Sequence, residues 1–592
     1  MSVVMMGRQQ QQQSAALVWV AVNLLLLVAA QQPELESQDR HHWWNLAQNE
    51  LEAALNVRDN VNIAKNVILF LGDGMGITAN TAGRIYKGQK KGMNGEEGYL
   101  TWERFPNAAL LKTYNVDKQV PDSAATATAF LCGVKSNYYT LGVDSAVKYK
   151  DCNASLDTAH HLSSILQWAQ EQGMATGLVT TTRITHATPA ALYAHTAYRY
   201  WECDGNLKEE GAGCKDIADQ LITENPGKNI KVIMGGGRRT LGAGLDPNPD
   251  PKTCTRQDGR DLTQEWLKDK YHRGHTATYA TTAEEMREVE KTDFFLGLFS
   301  DSHLPYMVER ESNTSVPTLK EMTLKAIDLL KNPEGFFLLV EGGRIDHGLH
   351  RNSPYRFLEE ILSMDDAVAA ALAEVNLEDT LVLVTADHSH VLTINGYPDR
   401  GNDILGVTGY PSKKDGLNYT TLLFTNGPGF NYSIKNKTVT RLDPNDHDTR
   451  DLDYKSLAAV PRKSETHGGE DVAIWAAGPM AHLLHRTHEQ HYVAHVMAHA
   501  AAVGPSAHKR LRKGYPAQHE ASQASFFPVP PRAAYPQGTS ITGASKTQIY
   551  PSINPGLQQV IAAREQQMLE ELGLMPVHRS EEIIYEDYDI DD

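Results

Sequence analysis

This chain has few cysteines, no excess of positive charge and only one notable hydrophobic run. It has 5 cysteines in 592 residues and no Cys-x-x-Cys pair, which excludes a zinc ribbon and a thioredoxin-type motif. Its 56 lysines and arginines face 73 aspartates and glutamates, a net charge of −17 that repels phosphate backbones, so no nucleic-acid partner is expected. With 41% hydrophobic and 22% charged residues, the composition is that of a globular protein and excludes collagen and coiled coil.

The chain has a single notable hydrophobic run, at residues 15–30. It follows Arg8 and a glutamine tract and ends in small residues, Ala29 and Ala30. A membrane-spanning helix needs about 20 residues, so the run is short for an anchor, which is the alternative, and it predicts a secretory signal peptide over residues 1–30. Residues 581–592 are acidic rather than apolar, so no lipid-anchor signal and no transmembrane segment is predicted. The protein is therefore expected to be secreted, extracellular and soluble.

A secreted chain is open to disulfide formation and glycosylation. The cysteine count fits an oxidising compartment with one thiol left over. Asn-x-Ser/Thr sequons, which predict a glycoprotein, begin at Asn153, Asn313, Asn418, Asn431 and Asn436.

Short apolar runs alternate with helical patterns over residues 40–505. The runs are continuous, as expected of buried parallel strands, and cover 67–71, 176–180, 232–234, 336–340, 381–385 and 472–476. Helical patterns cover 162–172, 319–330 and 355–375. The alternation predicts an α/β fold with a central, mostly parallel sheet and helices on both faces.

Two regions depart from this pattern. Residues 395–460 are rich in Gly, Pro, Asn and Asp, with short β-like pieces such as 419–424, and are predicted to form an inserted subdomain. Residues 506–592 are rich in Pro, Gln, Ala and Ser and end in acids, which predicts a largely disordered tail.

Acidic and imidazole side chains follow the predicted strands at their carboxyl ends. Asp73 follows the first strand, Glu341 follows 336–340, and Asp387 and His388 follow 381–385. Because the carboxyl ends of parallel strands meet at one edge of a sheet, these groups should lie close together. So many buried carboxylates need cations, and Asp, Glu and His without Cys suit zinc together with a harder, magnesium-type oxygen site.

Each of these residues also has an ordinary explanation when it is taken alone. Asp73 lies between glycines, as turn residues do, and Asp346 and His350 could be a surface pair on one helix face. Ser123 begins an alanine-rich segment and could simply be a helix N-cap. The same position would direct backbone N–H groups toward an anion, which makes its hydroxyl a candidate nucleophile for phosphorus.

Six segments, in order along the chain, resemble the active-site segments of alkaline phosphatases. They are 66–76, 121–129 (Pro-Asp-Ser-Ala-Ala-Thr-Ala-Thr-Ala), 181–189, 340–350, 385–390 and 465–470. The resemblance is to the animal branch and covers about residues 40–500. It implies metal-dependent hydrolysis of phosphate monoesters to an alcohol and phosphate at alkaline pH, through a phosphoserine, with broad leaving-group specificity. It also implies that residues 395–460 are a crown-type subdomain.

The resemblance assigns roles position by position. It implies two zinc ions and one magnesium ion: the first zinc on Asp346, His350 and His467, the second on Asp73, Asp387 and His388, and the magnesium on Asp73, Thr188 and Glu341. Ser123 matches the phosphorylated serine, Arg199 the arginine that clamps phosphate, and His186 a histidine near the magnesium and the phosphate.

Further features follow from the resemblance. Cys152 would pair with Cys214 and Cys132 would be a buried free thiol, which leaves Cys203 and Cys254 to pair with each other. The amphipathic segment 41–57 corresponds to a helix that embraces a second subunit, which implies a homodimer. The calcium-type site of vertebrate members is in doubt, since Ser300 follows Phe299 and the acid expected near residues 313–316 is missing.

Two relatives in the same superfamily are the alternatives. A sulfatase would need a Cys/Ser-x-Pro-x-Arg segment, and none of the cysteines precedes x-Pro. A phosphodiesterase would be expected to lack the pair that Thr188 and Glu341 form here.

Overall fold

The computed structural model describes residues 38–247, 253–310, 315–435 and 438–509. The predicted signal peptide and residues 510–592 of the predicted tail lie outside the described residues.

The described residues contain helices and strands in alternation along most of their length. The helices are α1 (Arg40–Asn56), α2 (Ile77–Gln89), α3 (Ser123–Cys132), α4 (Cys152–Leu156), α5 (Ile165–Glu171), α6 (Ala187–Ala190), α7 (Ile217–Thr223), α8 (Leu262–His272), α9 (Ala283–Glu288), α10 (Leu319–Leu329), α11 (Arg344–His350), α12 (Pro354–Glu374) and α13 (Tyr492–Ala501). The strands are β1 (Asn66–Gly72), β2 (Asn107–Lys112), β3 (Ala175–Arg183), β4 (Val232–Gly236), β5 (Ala277–Ala280), β6 (Phe294–Leu298), β7 (Phe336–Gly342), β8 (Thr380–Thr385), β9 (Ser389–His390), β10 (Leu392–Ile394), β11 (Leu422–Gly427), β12 (Tyr432–Lys435), β13 (Thr438–Arg441), β14 (Ala458–Pro461), β15 (His467–Gly468), β16 (Val472–Ala477) and β17 (Thr487–Glu489).

A ten-stranded sheet forms the centre, in the order β17-β2-β16-β8-β1-β7-β3-β4-β6-β5. All neighbouring pairs are parallel except the two that involve β16. The central strand β1 is paired on both sides, with Leu69 opposite Leu339 and Leu383, and all three side chains are fully buried. This two-sided burial explains the continuous apolar runs and confirms the predicted α/β class with a mostly parallel sheet.

The run at 472–476 was expected to be parallel, and the structure corrects this: β16 is antiparallel to both β2 and β8. A parallel neighbour needs a long crossover connection. Here the chain instead reaches β16 directly from β15, which pairs with β9 just beyond the end of β8. The short connection leaves only the antiparallel direction.

The predicted helices are present within a few residues of their expected bounds. The predictions 162–172, 319–330 and 355–375 correspond to α5, α10 and α12, and 41–57 corresponds to α1. Local chemistry sets two of the starts: Thr318 and Glu321 form a capping box at α10, and Pro354 occupies the first turn of α12. None of the helices within the described ranges is both long and apolar enough to cross a membrane.

The inserted region has β-structure of its own. Strands β11 and β14 join β10, which lies just before this region, in a three-stranded sheet, and β12 and β13 form a separate antiparallel pair. The predicted piece at 419–424 corresponds to β11, which begins at Leu422. Strands β2, β5, β6 and β17 were not predicted; in β2, buried and exposed residues alternate in part, so it has no continuous apolar run.

The disulfide pairing implied by the resemblance is confirmed. Cys152 is bonded to Cys214 and Cys203 to Cys254, while Cys132 is a buried free thiol.

We therefore expect Cys132 to resist alkylation in the native protein, because it is buried and because burial raises the pKa of its thiol to about 12. Alkylation in denaturant without reductant, followed by peptide mapping, should label Cys132 alone. A label on Cys203 or Cys254 would contradict the pairing.

Candidate active site

The predicted nucleophile lies at the first turn of a buried helix. Ser123 begins α3, and the N-cap is Asp122, whose carboxylate accepts a hydrogen bond from the Ala124 N–H at 3.0 Å. The ordinary explanation of Ser123 as the cap is therefore wrong. Its Oγ instead lies 3.2 Å from Nε2 of His388, and the side chain is buried.

Asp73, Asp387 and His388 form a compact group beside this serine. Nε2 of His388 lies 3.5 Å from Asp73 and 3.1 Å from Asp387. Backbone N–H groups of Gly74 and His388 fix one Asp387 oxygen, at 3.0 and 2.8 Å. Neither Asp73 oxygen has a hydrogen-bond partner among the described residues, and burial, reinforced by Asp387 and Asp346, raises the pKa of Asp73 well above its usual value.

A second group gathers around Asp346. This carboxylate lies 3.3 Å from Nε2 of His350 and 3.5 Å from Nε2 of His467, and those two nitrogens are 3.1 Å apart. Carbonyl oxygens accept from the opposite ring nitrogens: Glu465 O is 2.5 Å from His350 Nδ1, and Pro121 O is 2.7 Å from His467 Nδ1. Both rings are thus held with Nε2 toward Asp346, the arrangement in which histidines bind metals.

His390 belongs to the same group and was missed by the sequence analysis. Its Nε2 lies 2.6 Å from Asp346, and its Nδ1 lies 2.5 Å from Glu465. Burial lowers its pKa, but the charges of Glu465 and Asp346 prevail and raise it to about 10. The available signal was its place two residues after His388, within the 385–390 segment.

A third group is dominated by oxygen. Glu341, at the end of β7, lies with Asp73 and His186 close enough to share an ion. One Glu341 oxygen accepts hydrogen bonds from the hydroxyls of Thr180 and Thr182. The other Glu341 oxygen and the Thr188 hydroxyl are buried without a hydrogen-bond partner among the described residues. Burial raises the pKa of Glu341 to about 7.

Arg199 joins the serine helix to this third group. Its guanidinium lies 3.3 Å from the Asp122 carboxylate and 3.3 Å from Nε2 of His186. Burial, with the charges of Arg199 and Arg183, lowers the pKa of His186 well below its usual value, so this ring is neutral. A neutral His186 can accept from the guanidinium and leave the positive charge on Arg199.

Tyr139 bridges the serine helix and Arg199 and was not identified from the sequence. Its N–H donates to the Asp122 carboxylate at 2.9 Å, and its carbonyl accepts from the Arg199 N–H at 2.9 Å. Both bonds depend on a left-handed backbone, with φ at 65°, which is unusual for a buried tyrosine. The rings of Tyr139 and Tyr200 face the guanidinium, with centroids 5.9 and 5.5 Å from its carbon.

A neighbouring group of three histidines has a different character. His186, His303 and His347 lie close together, but guanidinium nitrogens of Arg183 and Arg344 lie 2.5 Å from the rings of His303 and His347. Two positive charges at the rings disfavour a cation there.

The first three groups fit metal ions. They place buried carboxylates beside histidines whose nitrogens are already oriented, and Asp73 has no hydrogen-bond partner among the described residues. Mixed nitrogen and oxygen donors suit zinc, and the oxygen-rich third group suits magnesium. The eleven residues predicted from the sequence lie in one connected region: Asp73, Ser123, His186, Thr188, Arg199, Glu341, Asp346, His350, Asp387, His388 and His467. Their individual roles stay predictions.

The acid beside Ser300 is already satisfied. Asp301 pairs with Arg238 at 2.8 Å and with Arg239 at 3.2 Å, and it accepts from two backbone N–H groups. Two guanidinium groups and two backbone N–H groups thus surround this carboxylate.

Comparison with known proteins gives a consistent result. Residues 64–503 match the family model for alkaline phosphatase. The chain is 46% identical over 486 residues to the tissue-nonspecific alkaline phosphatase isozyme of Gallus gallus, covering 80% of this chain and 91% of that protein. It is 46% identical over 483 residues to the same isozyme of Homo sapiens, covering 80% and 90%. It is 42% identical over 504 residues to alkaline phosphatase 4 of Drosophila melanogaster, covering 80% and 83%.

Solved structures agree at the level of the fold. The alkaline phosphatase of Thermus thermophilus superimposes with a TM-score of 0.53 at 23% identity, covering 78% of this chain and 97% of that one. The enzyme of the Antarctic bacterium TAB5 gives 0.51 at 24% identity, covering 74% and 99%. The sequence relatives carry the stronger conclusion: the chain belongs to the alkaline phosphatase family.

Proposed function

We propose that this chain, as a phosphate monoester hydrolase of that family, works through a phosphoserine on Ser123. The observation that carries the proposal is the position of this hydroxyl, buried at the first turn of α3 and 3.2 Å from His388. Asp387 lies 3.1 Å from the same His388 nitrogen, and Arg199 contacts Asp122, the residue before Ser123. The family match lends no support to the alternative of a phosphodiesterase or a sulfatase.

The reaction would proceed in two displacements. In the first, Ser123 Oγ forms a bond to phosphorus while the bond to the ester oxygen breaks; the proton that Oγ loses is balanced by one that the ester oxygen takes from water, so the alcohol leaves. In the second, water attacks the phosphoserine, the Oγ–phosphorus bond breaks, and phosphate and the free serine result. The guanidinium of Arg199 would hold two phosphoryl oxygens, and the N-terminal end of α3 would favour their negative charge.

The proposed ions are two zincs and one magnesium, on the ligand sets implied by the resemblance. Asp346, His350 and His467 would hold one zinc, and Asp73, Asp387 and His388 the other. Asp73, Thr188 and Glu341 would hold magnesium. Bound metal supplies a lowered pKa for a hydroxyl or water and a positive charge for the entering and leaving oxygens. His390 would orient Asp346 from the side, and Glu465 fixes His390 in turn.

Leaving-group specificity should be broad. The roles proposed for Ser123, for Arg199 and for the metal ligands all concern the phosphoryl group and the ions, and none concerns the alcohol. Small phosphate monoesters are therefore the proposed substrates.

Secretion and glycosylation are proposed as well. Two disulfides support an oxidising compartment, as the predicted signal peptide requires. Among the sequons within the described ranges, Asn153 and Asn431 are exposed and could accept a glycan.

A homodimer is supported by the surface of α1. None of its residues is buried, and Trp44 and Leu55 are 68% and 69% exposed. Large apolar side chains that are exposed on one helix are typical of a surface that a partner covers.

The central test removes the nucleophile. Ser123→Ala should lower turnover of p-nitrophenyl phosphate at least about a thousandfold and abolish acid-trapped labelled phosphoenzyme, because the metals and Arg199 can only orient water. Ser164→Ala is the matched control, since Ser164 caps α5 by accepting from the Gln167 N–H at 3.2 Å. It should lose about 1 kcal/mol of stability and keep its turnover. Near-normal turnover in a folded Ser123→Ala protein would exclude the assignment.

Removal and restoration of the metal ions tests whether turnover depends on them. A chelator should abolish turnover, and zinc added back with magnesium should restore it, because Asp73 and its neighbours need cations to coexist. Elemental analysis of the active protein should give two zincs and one magnesium per chain. Full activity after complete metal removal would contradict the proposal.

Tyr139 variants test how Arg199 is held. Tyr139→Gly keeps the left-handed backbone but removes the ring, and should raise the inhibition constant of inorganic phosphate by about 3-fold to 10-fold through the lost ring contact. Tyr139→Phe keeps the ring and should behave as wild type. Unchanged phosphate inhibition in Tyr139→Gly would show that the ring contributes nothing to the clamp.

The dimer is tested by light scattering. The wild type should have twice the chain mass at micromolar concentration, and Trp43→Ser combined with Trp44→Ser should shift it toward monomer. Tyr271→Ser, at a residue 79% exposed on α8, is the control and should stay dimeric. A stable wild-type monomer would rule out the dimer.

A further inference from the structure

A second set of histidines lies outside the active site, near the C-terminal end of the described chain. Its members are spaced by three or four residues: His482, His485, His488, His491, His495 and His499. His491 immediately precedes α13 and has helical backbone angles, φ −61° and ψ −17°. His491 and His495 are therefore four residues apart on one helical face, and their ring centroids are 6.0 Å apart.

The proton positions on several of these rings are fixed by carbonyl groups. A carbonyl oxygen can only accept, so the ring nitrogen that contacts it must carry the proton. Nε2 of His495 lies 3.1 Å from Gly133 O, which leaves the lone pair of the neutral ring on Nδ1. His485 donates in the same way to His482 O at 2.9 Å. A ring with one nitrogen donating to a carbonyl and the other bearing a lone pair is in the form that binds metals.

His491, the other histidine of the pair, is also suited to bind a metal ion. Nδ1 of His491 is buried without a hydrogen-bond partner among the described residues. Burial and the neighbouring His495 lower the pKa of His491, which keeps the ring neutral. His491 is half-buried and His495 is exposed, so the pair lies at the protein surface.

The neighbouring charged side chains Lys135 and Glu489 are bonded to other groups. The ammonium of Lys135 is held by Glu489 at 2.9 Å and by the carbonyl of Tyr114 at 2.8 Å. The Glu489 carboxylate is shared with Lys112 at 3.1 Å. Both charges are thus committed to each other, and the two imidazoles are left as the available ligands.

We propose that His491 and His495 form a surface site for one divalent transition-metal ion, with water completing its coordination. Imidazole pairs select zinc, nickel and copper over magnesium and calcium, which prefer oxygen. The ring centroids of the proposed pair are 6.0 Å apart, compared with 4.9 Å for His350 and His467, which converge on a common carboxylate in the active site.

Such an ion would hold the His495 ring in place. Nε2 of this ring bonds to the carbonyl of Gly133, the left-handed residue that ends α3, and so joins α13 to the helix that begins with Ser123. The site is independent of the catalytic ions and of the proposed phosphatase mechanism, and neither histidine belongs to the active-site groups.

Nickel binding to the metal-loaded enzyme, expressed without a histidine tag, tests the proposal. Titration calorimetry should show one nickel ion per chain beyond the resident metals. His491→Ala and His495→Ala should each weaken it at least as much as the roughly 10-fold to 100-fold loss that follows removal of an outer-shell partner. The double variant should bind no nickel ion beyond the resident metals, because neither imidazole of the pair remains.

Two controls separate this pair from the other histidines. His485→Ala removes a neighbouring member of the set and should leave nickel affinity unchanged, as should His272→Ala at an exposed histidine on α8. Turnover of p-nitrophenyl phosphate should be the same in all four single variants. Absence of an additional nickel ion in the wild type, or binding that survives in the double variant, would overturn the proposal.

Discussion

The structure depends on the burial of four carboxylates at one edge of the sheet. Asp73, Glu341, Asp346 and Asp387 are each at most 2% exposed. The protein compensates them unevenly: despite burial, His350 and His390 hold the pKa of Asp346 well below its usual value, whereas burial raises that of Asp73 well above. The side of the site around Asp73 is therefore where added positive charge relieves most electrostatic cost.

The segment that carries Arg199 is firmly anchored beside these carboxylates. The segment packs in a small core of its own with Val143, Val147 and Trp201, and this core includes the Cys152–Cys214 disulfide. Directly after Trp201 come Glu202, which forms a buried ion pair with Arg183 at 2.8 Å, and Cys203, which belongs to the second disulfide. A long cationic side chain loses much entropy when it is fixed, and this dense anchoring lowers the part of that cost that would fall on substrate binding.

Sequence patterns sufficed for much of the sheet and for the composition of the site. Strands buried on both faces gave continuous apolar runs, and their carboxyl ends led directly to Asp73, Glu341 and Asp387. The direction of β16 was beyond such reasoning, because it depends on the pairing of β15 with β9, two residues each, across a long insertion. Short edge strands such as β5 and β17 bury too little apolar surface to leave a pattern.

The residues missed within the site share a physical reason. His390 and Tyr139 act through contacts made across the fold, to Glu465 and to Arg199, and Tyr139 has no local spacing that distinguishes it from an ordinary side chain. Ser123 shows the converse case: the helix start was evident, but the cap is its neighbour Asp122, which leaves the serine hydroxyl uncommitted to the backbone.

The pairing of β9 with β15 also bears on how such a chain can diversify. His390 lies directly opposite His467, so the inserted residues 391–466 leave and rejoin the core at adjacent points. A loop whose two ends are bonded to each other can lengthen or shorten at an entropic cost that grows only with the logarithm of its length. Changes in this insertion can therefore alter the outer surface of the enzyme while the histidines at its base stay in register.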